Sequence, residues 1–376
     1  MKDKLKNRLL LKEDIIINFK KYFLFSFILM ITGYGYLFNS GRIMKNKASV
    51  KISYLAGKVS SWKIPIFLRE YLFRIYINFY NVNTDEILQK DLSKYSTVNE
   101  FFTRQIDLTQ RPFDPNARIV SPCDGRVLSF TEIKDRTDMI IVKDMTYNVF
   151  DFLFGRRLKK IPSLIGFINE KDDDYKFYQL TIYLSPSDYH RYHSPCDMLV
   201  TDRVYLPGTL FPVKPSYVEK HKTTFIENER VTLKCKTRKD ESPFFITFVG
   251  ALNVGSININ YDNFSNEGHY IKEDVHESYV KLIKDNGEDV LQKRKDENRE
   301  FGKMTMFENL NIRKKTRDET LIDNDAIGNL MINKLDEIGC FKFGSTIVMV
   351  FPLKSNEKVS DVVKPGNYIK LGTTIV

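Results

Sequence analysis

The chain has 376 residues, of which 42% are hydrophobic and 13% aromatic, enough for one large domain or two ordinary domains with a real core. Its formal net charge of +10 suits a nucleic acid, an anionic membrane surface or an acidic substrate. The lysines are spread along the chain without a compact basic motif, which argues against a nucleic acid partner. The four cysteines form no C-x-x-C pair and no zinc spacing, so we expect buried or incidental thiols and no disulfide framework.

The N-terminal part combines a basic tail with an apolar stretch. Residues 1–21 carry many lysines but also acidic residues, which weakens an interpretation as a transit peptide. Tyr22–Phe38 is uncharged and just reaches the roughly 17 residues that a helix needs to cross a bilayer core. We therefore predict a transmembrane or signal-anchor helix at 22–38, with a buried core helix as the alternative. Basic residues on both sides leave its orientation open.

Residues 45–110 are predicted to be helical and to associate with a membrane. The second half of Leu55–Tyr80 has aromatic and aliphatic residues near helical spacing, with charged residues between them. Packing in a core and lying on a membrane surface both explain this pattern. Ser96–Arg104 begins with hydroxyl residues and has Glu100 behind them, which is a signal for a helix N-cap.

The proline-punctuated loop Arg111–Pro122 predicts a boundary, after which residues 111–376 have the texture of short strands and turns. The predicted strands lie at 126–133, 138–145, 178–185, 243–250, 256–261 and 345–351, with a helical turn at Val149–Leu153. Residues 281–325 are dense in charge and lack apolar periodicity, so we interpret them as a solvated insertion. The predicted fold is α+β, with an anchor and a helical region followed by a β-rich catalytic core of antiparallel sheets.

Three short motifs contain residue types suited to chemistry. His190 and His193 lie three residues apart in "SPSDYHRYHSPCD", and a structural polar role is the competing interpretation. Asp124 precedes a glycine in the turn "VSPCDGRV", where it either forms a simple turn or orients an imidazole. Gly344 and Ser345 begin the apolar strand of "GCFKFGSTIVMVF". Asp124, a histidine and Ser345 make a serine-protease-like triad possible, although Ser345 lacks the G-x-S-x-G context of the hydrolases.

Together these stretches resemble the phosphatidylserine decarboxylases, the pyruvoyl-dependent enzymes of phospholipid synthesis. The resemblance runs from about Ile52 to Phe351, with its motifs in the family's order. It is carried by "SYLAGKVSSWKIP", "YSTVNEFFTRQI", "RPFDP", "VSPCDGRV", "YLSPSDYHRYHSPCD", "YLPGTLFPV", "ENERV", "FVGALNVGSI" and "GCFKFGSTIVMVF". Phe343 departs from the family's usual leucine before the glycine, an apolar replacement from which we expect no loss of activity.

The resemblance implies that the proenzyme cuts itself between Gly344 and Ser345, giving a β chain of residues 1–344 and an α chain of residues 345–376. Ser345 then becomes a covalent pyruvoyl group, which decarboxylates phosphatidylserine to phosphatidylethanolamine through a Schiff base. By motif position, His193 is the base for self-cleavage, with Asp124 orienting it in a charge relay. His190 is the expected proton donor in decarboxylation. No metal is expected.

The expected partners are phosphatidylserine, an anionic membrane and, after cleavage, the other chain; a homodimer is plausible by resemblance. The predicted helix at 22–38 makes the protein membrane-bound and single-pass. The resemblance favours the mitochondrial inner membrane, with the endoplasmic reticulum or another endomembrane as the alternative. Two other functions stay open at this point, a decarboxylase of a soluble amino acid and a catalytically inactive lipid-binding homologue.

Overall fold

The computed structural model describes residues 53, 57–133, 138–142, 145–158, 175–251, 256–261, 264–265, 275–278, 330–342 and 345–376. The predicted anchor at 22–38 and the predicted insertion at 281–325 lie outside these residues. Among the residues that are described, no helix is long and apolar enough to span a membrane.

Two helices precede the sheets. Helix α1 (Ile66–Tyr80) follows Pro65, which stands at its N-cap position, and ends at Asn81 in the left-handed conformation (φ 60°). Helix α2 (Val98–Phe102) begins at Thr97, whose side chain accepts a hydrogen bond from the Glu100 N–H. The Glu100 side chain accepts from the N–H of Ser96, the residue before the N-cap, at 2.6 Å, so the N-cap predicted from this motif is confirmed at Thr97.

The two helices pack through aromatic rings. Phe73 on α1 stacks on Phe101 of α2 with ring centroids 4.7 Å apart, and Tyr76 meets Phe101 edge-on at 5.7 Å. These rings belong to a buried apolar cluster separate from the main core. The helical region therefore has a small core of its own.

The described residues contain fifteen strands. In chain order they are β1 (Gly125–Glu132), β2 (Asp138–Val142), β3 (Met145–Asn148), β4 (Tyr175–Leu184), β5 (Arg191–His193), β6 (Met198–Leu206), β7 (Arg230–Thr237), β8 (Pro243–Val249), β9 (Ile257–Ile259), β10 (Phe264–Ser265), β11 (Val275–Ser278), β12 (Leu330–Ile332), β13 (Glu337–Phe341), β14 (Ser345–Lys354) and β15 (Tyr368–Ile369). Three short helices complete the list, α3 (Val149–Leu158), α4 (Pro215–Val218) and α5 (Thr224–Glu227).

The described strands form one large antiparallel sheet and two smaller ones. The large sheet has the order β11-β6-β7-β8-β14-β4-β1-β15, with β12 also paired to β6. A second sheet has the order β10-β9-β13-β5, and β2 pairs with β3 as a hairpin. The predicted α+β class with a β-rich core of antiparallel sheets is thus confirmed.

Strand β14 lies in the interior of the large sheet, between β4 and β8. Ile347–Phe351 within it are fully buried, and the side chains belong to the main core. A continuous apolar run is expected for a strand that is covered on both faces. The strand predicted at 345–351 is confirmed and extends to Lys354. The prediction of a single strand at 138–145 is wrong. Strand β2 ends at Val142, β3 begins at Met145, and the two strands pair with each other.

Candidate active site

The two histidines and Ser345 are brought to one corner by strand pairing. Ser345, the first residue of β14, lies opposite Leu184, the last residue of β4. The chain then turns and forms β5, which pairs with β13, the strand just before β14. The Phe341 N–H donates to the His190 carbonyl at 2.9 Å. The segment that leads from β13 into Ser345 is therefore held at both ends by residues 184–190.

Asp124 lies at the same corner because it immediately precedes β1. Arg126 on β1 pairs with Tyr183 near the end of β4, and the His193 N–H donates to the Pro122 carbonyl at 2.8 Å. A side chain at Gly125 would place its Cβ 2.5 Å from the Tyr183 carbonyl oxygen. The glycine after Asp124 thus allows β1 to start directly against β4.

The His193 ring is buried and both of its nitrogens have partners. Nδ1 donates to the Leu335 carbonyl at 2.8 Å, which leaves Nε2 as the acceptor for the Tyr189 hydroxyl at 3.0 Å. Burial lowers the pKa of His193, so the ring is kept neutral, and burial raises the pKa of the Tyr189 hydroxyl well above its ordinary value. A neutral imidazole with its lone pair on Nε2 has the protonation state that a general base requires.

Leu335 has φ 68°, a left-handed conformation that is rare for a bulky residue. Its N–H donates to the Ser194 carbonyl at 2.8 Å while its own carbonyl receives His193 Nδ1–H. The left-handed backbone at Leu335 thus directs the Leu335 carbonyl at the His193 ring. This contact selects the His193 tautomer that carries its proton on Nδ1. The sequence did not predict this role of Leu335, because leucine has no preference for the left-handed conformation.

The Asp124 carboxylate is bound to an arginine and not to either histidine. Arg111 makes a two-point contact with it, at 2.9 and 2.8 Å, and the Leu371 N–H donates to it at 2.8 Å. Arg111 also contacts Glu86 at 2.8 Å. Burial raises the pKa of Asp124, whereas the Arg111 guanidinium and the Leu371 amide favour its ionised form.

Arg111 was treated in the sequence only as the start of a proline-rich loop, although it holds Asp124 and Glu86 together with almost no exposure. The signal that could have pointed to Arg111 is "RPFDP", which begins with this arginine and is one of the stretches that carry the family resemblance.

His190 differs from its neighbour. Its Nδ1 donates to the Asp188 carbonyl at 2.8 Å, while Nε2 is buried without a hydrogen-bond partner. The Phe102 ring packs on the imidazole with centroids 3.9 Å apart. Burial lowers the pKa of His190 to about 3, so the ring is neutral and Nε2 carries a lone pair.

A carboxylate that the sequence did not single out shapes the turn before His190. Asp188 accepts hydrogen bonds from the Ser185 N–H at 2.6 Å and from the Tyr368 hydroxyl at 3.0 Å. The Tyr76 hydroxyl of α1 donates to Pro186 in the same turn at 2.8 Å. The turn of residues 185–188, which we call the serine turn, therefore joins α1, β4 and the C-terminal segment. The side chain of Ser345 and residues 343–344 lie outside the described part of the chain.

Within the described part of the chain, no group of three or more His, Cys, Asp or Glu side chains is arranged to hold a metal ion. The four cysteines are free thiols, and three of them are buried.

Comparison with known proteins follows the same motifs. A family model described as "Phosphatidylserine decarboxylase" matches residues 98–376. The chain is 35% identical over 220 residues to "Phosphatidylserine decarboxylase proenzyme, mitochondrial" of Rattus norvegicus, a match that covers 56% of this chain and 53% of the relative. The chain thus spans about half the length of that relative.

Two further relatives extend the match. The protein with the same name from Cricetulus griseus is 28% identical over 327 residues, covering 85% of this chain and 69% of the relative. "Phosphatidylserine decarboxylase proenzyme" of Helicobacter pylori (strain ATCC 700392 / 26695) is 32% identical over 212 residues, covering 56% of this chain and 72% of the relative.

Proposed function

This chain belongs to the phosphatidylserine decarboxylase family, and we propose on that premise that it is a self-processing decarboxylase of phosphatidylserine. The family predicted from the sequence is confirmed, and nothing in the matches favours an inactive homologue. The observation that carries the proposal is the shared corner, where Ser345 pairs with Leu184 and Phe341 pairs with His190.

We propose that self-cleavage begins when Ser345 Oγ adds to the Gly344 carbonyl carbon. The proton of Oγ passes to His193 Nε2, the peptide C–N bond breaks, and the proton is delivered to the departing amine, leaving an ester. Loss of the Ser345 α-proton then expels the Gly344 carboxylate and leaves a dehydroalanine, whose hydrolysis yields ammonia and the pyruvoyl group. His193 suits this role because its Nδ1–H is held by Leu335 and its lone pair is on Nε2. The Tyr189 hydroxyl must leave Nε2 before the serine proton arrives.

Asp124 is proposed to support this base from a distance. In the uncut chain its carboxylate is neutralised by Arg111, and it fixes the C-terminal segment through Leu371. We therefore propose a positioning role for Asp124: it holds the turn whose Pro122 carbonyl accepts from the His193 N–H.

A pyruvoyl group formed from Ser345 would supply a carbonyl able to condense with an amine and to take up the electrons of a decarboxylation. The substrate amine arrives protonated and must lose a proton before it attacks. His190 Nε2 is a buried, neutral acceptor, and we propose that it takes this proton. The same nitrogen then returns the proton to the substrate Cα, which agrees with the donor role expected from the sequence.

The two chains are proposed to stay together after the cut. All ten residues of β14 pair with β4, and five of them also pair with β8. Farther along, Val376 accepts hydrogen bonds from the Arg118 and Ile119 amides, and Tyr368–Ile369 pairs with β1. The α chain 345–376 is therefore an interior part of the fold, and we expect that it separates only on denaturation.

The helical region is proposed to contact the membrane that holds the substrate. On α1, Phe67, Tyr71 and Phe79 are 57–58% exposed, at a spacing that puts them on one side of the helix. Trp62 and Ile66 add 61% and 67% exposure at its start. Such a cluster of exposed rings with basic residues among them suits a lipid interface. It also argues against a soluble amino acid as the substrate.

The predicted anchor at 22–38 would add a second attachment, as a single-pass helix. We propose the mitochondrial inner membrane as the location because relatives from Rattus norvegicus, Cricetulus griseus and Candida albicans carry "mitochondrial" in their names. The homodimer is likewise a proposal, which sedimentation of the detergent-solubilised protein would test.

Denaturing electrophoresis and mass spectrometry of the purified protein test the proposal. We expect two bands, and an α chain with the mass of a pyruvoyl N-terminus and no free terminal amine. Ser345→Ala should give one full-length band and no decarboxylation. A wild-type protein that stays uncut, or that is cut without forming phosphatidylethanolamine, would contradict the proposal.

A further inference from the structure

Arg104 is a buried arginine whose charge is only partly satisfied. It is 4% exposed and lies just beyond α2. Its Nη2 donates to the Ser187 carbonyl at 2.7 Å and, more weakly, to the Asp188 carbonyl at 3.3 Å. Its Nε and Nη1 are buried without a hydrogen-bond partner. Leaving buried, charged N–H groups unpaired is costly, so a fold retains them when a ligand uses them.

Two other buried arginines in the described residues have more polar partners than Arg104, although Arg111 Nε is likewise buried without a hydrogen-bond partner. Arg111 binds Asp124 and Glu86. Arg230 directs Nε, Nη1 and Nη2 at main-chain carbonyls, at 2.6–3.0 Å. By contrast, no described carboxylate lies within ion-pair distance of Arg104, whose cationic head meets the Phe101 ring at 5.5 Å.

Arg104 and His190 share a main-chain acceptor in the serine turn. The Asp188 carbonyl accepts from both residues, from Arg104 Nη2 and from His190 Nδ1. The residues just before Arg104 contact His190 and the residue after it. The Phe102 ring packs on the His190 imidazole, and the Thr103 carbonyl accepts from Arg191 Nε at 2.8 Å. Two residues bonded to the same carbonyl of the serine turn thus keep three polar nitrogens without hydrogen-bond partners, two on Arg104 and one on His190.

This combination matches the chemistry of a zwitterionic head group. A guanidinium edge with two N–H groups binds a pair of anionic oxygens in a planar, two-point contact. A neutral imidazole nitrogen accepts a proton from an ammonium group. The serine head group of a phospholipid carries its ammonium between two anions, the carboxylate and the phosphodiester. We propose that Arg104 binds an anionic oxygen pair of the substrate head group and so places its amine at His190 Nε2. This proposal rests on the proposed function.

The position of Arg104 also fits the route from a membrane. Tyr76 of α1 donates to Pro186 in the serine turn, so the helix with the exposed rings is bonded to the turn that holds Arg104. In the uncut chain Arg104 is covered, and the cut at Gly344 releases a chain end next to Phe341, which is bonded to His190. We therefore expect ligand binding in the cleaved protein and little in Ser345→Ala.

Arg104→Lys and Arg104→Gln, expressed as full-length protein, test the proposal. Both variants should cut themselves as the wild type does, which reports that the corner is folded. We expect kcat/KM for phosphatidylserine in mixed micelles to fall by about 100-fold or more in Arg104→Gln, as for loss of a buried charge pair, and by less in Arg104→Lys, which keeps the charge but loses the two-point contact. Arg230→Lys is the matched control, since it changes a buried arginine whose guanidinium donates to main-chain carbonyls; its kcat/KM should stay within about threefold of the wild type.

Two soluble probes distinguish the anions. Glycerophosphoethanolamine has the phosphodiester without the carboxylate, and L-serine has the carboxylate without the phosphodiester. Weaker competitive inhibition of Arg104→Lys by the first probe alone assigns the phosphodiester, and by the second alone the carboxylate. If inhibition by both probes and kcat/KM are unchanged in Arg104→Lys, the proposal is overturned. A wild-type protein that neither cuts itself nor decarboxylates would instead contradict the proposed function.

A measurement on the wild-type protein covers the case in which the variants do not fold. Phenylglyoxal modifies accessible arginines, and mass spectrometry of the cleaved enzyme locates the adducts. We expect an adduct on Arg104 in the cleaved protein, with protection by at least one of the two probes and no protection of exposed Arg74. Modification of Arg104 that neither probe slows, or no modification at all, overturns the proposal.

Discussion

The corner around His193 and the corner around His190 are three residues apart in the sequence and satisfy their polar groups in different ways. At His193 both ring nitrogens are bonded, and Asp124 is bonded to Arg111 and Leu371. At His190 one ring nitrogen and two nitrogens of Arg104 are buried without partners. Under the proposed function, the His193 corner serves a reaction of the chain on itself, which needs no further molecule. The His190 corner serves a reaction on a lipid, which needs polar groups that are left for the lipid.

The difference has an energetic side. Each unpaired buried polar group costs about 1–3 kcal/mol, and the uncut chain bears this cost at His190 and Arg104. The main sheet, with a fully buried interior strand β14, is large enough to tolerate it. The comparison predicts that changes at the His193 corner affect cleavage or stability, while changes at the His190 corner affect the reaction with substrate.

Replacing the base should have the largest effect. His193→Ala removes the acceptor of the serine proton, and we expect the rate of self-cleavage to fall by about 1,000-fold or more. The measurement is the fraction of uncut chain on a denaturing gel over time. Cleavage at the wild-type rate would show that another group takes the proton.

Removing Arg111 should mainly destabilise the fold. Arg111→Met leaves the carboxylates of Asp124 and Glu86 buried without their guanidinium, a loss of about 3–5 kcal/mol. Urea unfolding of the Ser345→Ala protein, which is one covalent chain, measures it. Arg118→Met is the control, since its pair with Glu357 is partly exposed and should matter less. Equal losses in both variants would contradict a special role for the Arg111 cluster.

Changing His190 should separate the two reactions. His190→Gln should still cut itself, because His193 is unaffected, but decarboxylation should fall by about 100-fold. The comparison needs only a gel and an assay of phosphatidylethanolamine on the same preparation. A His190→Gln protein that stays uncut would contradict the assignment of self-cleavage to His193 and of decarboxylation to His190.

The pH dependence of stability should be a smaller effect. Burial lowers the pKa of both histidines, to about 3 for His190, whereas in an unfolded chain they titrate near about 6.5. The unfolded state therefore binds protons first as the pH falls. Stability is fully present above pH 6.5 and declines below it by about 1.4 kcal/mol per pH unit for each histidine. Urea midpoints of Ser345→Ala between pH 7.5 and pH 5 measure the slope.

In the same experiment, adding His190→Gln should flatten the slope. A slope that is equal with and without His190→Gln would mean that other groups govern acid unfolding.

The smallest effect on stability is expected at the exposed face of α1. Phe67→Ser should change the free energy of unfolding by less than about 0.5 kcal/mol, because the ring is 57% exposed. Its binding to vesicles containing phosphatidylserine should nevertheless weaken, as measured by flotation. Unchanged flotation of a Phe67→Ser, Tyr71→Ser double variant would argue against this face as the membrane contact.

Much of the local structure could be predicted from the sequence. The helix ending at Tyr80, the N-cap before α2 and the strand that begins at Ser345 all follow from short-range patterns of apolar and capping residues. The break in the predicted strand at 138–145 was missed, because alternation alone does not distinguish one strand from a tight hairpin. The motifs and their order along the chain were enough to predict the family correctly.

The partners of the site residues could not be predicted in this way. Asp124 was expected to orient His193, yet the Nδ1 of His193 is held by the carbonyl of Leu335, 142 residues farther along the chain. Asp124 is held by Arg111, 13 residues before it, and by the amide of Leu371, 247 residues after it. Arg104 and Tyr189 carried no signal of their own, since an arginine and a tyrosine in a motif are compatible with many contacts.

By itself, the sequence determined that a glycine–serine pair precedes a very apolar strand and that two histidines and an aspartate stand in motifs of one family. Only the tertiary structure decided which nitrogen of each histidine is available and which buried charges are paired. The reason is physical: backbone preferences act over a few residues, whereas hydrogen-bond partners and desolvation depend on which distant strands cross. At this corner β4, β5, β13 and β14 meet, and their crossing leaves His193 satisfied and His190 with Arg104 open to a ligand.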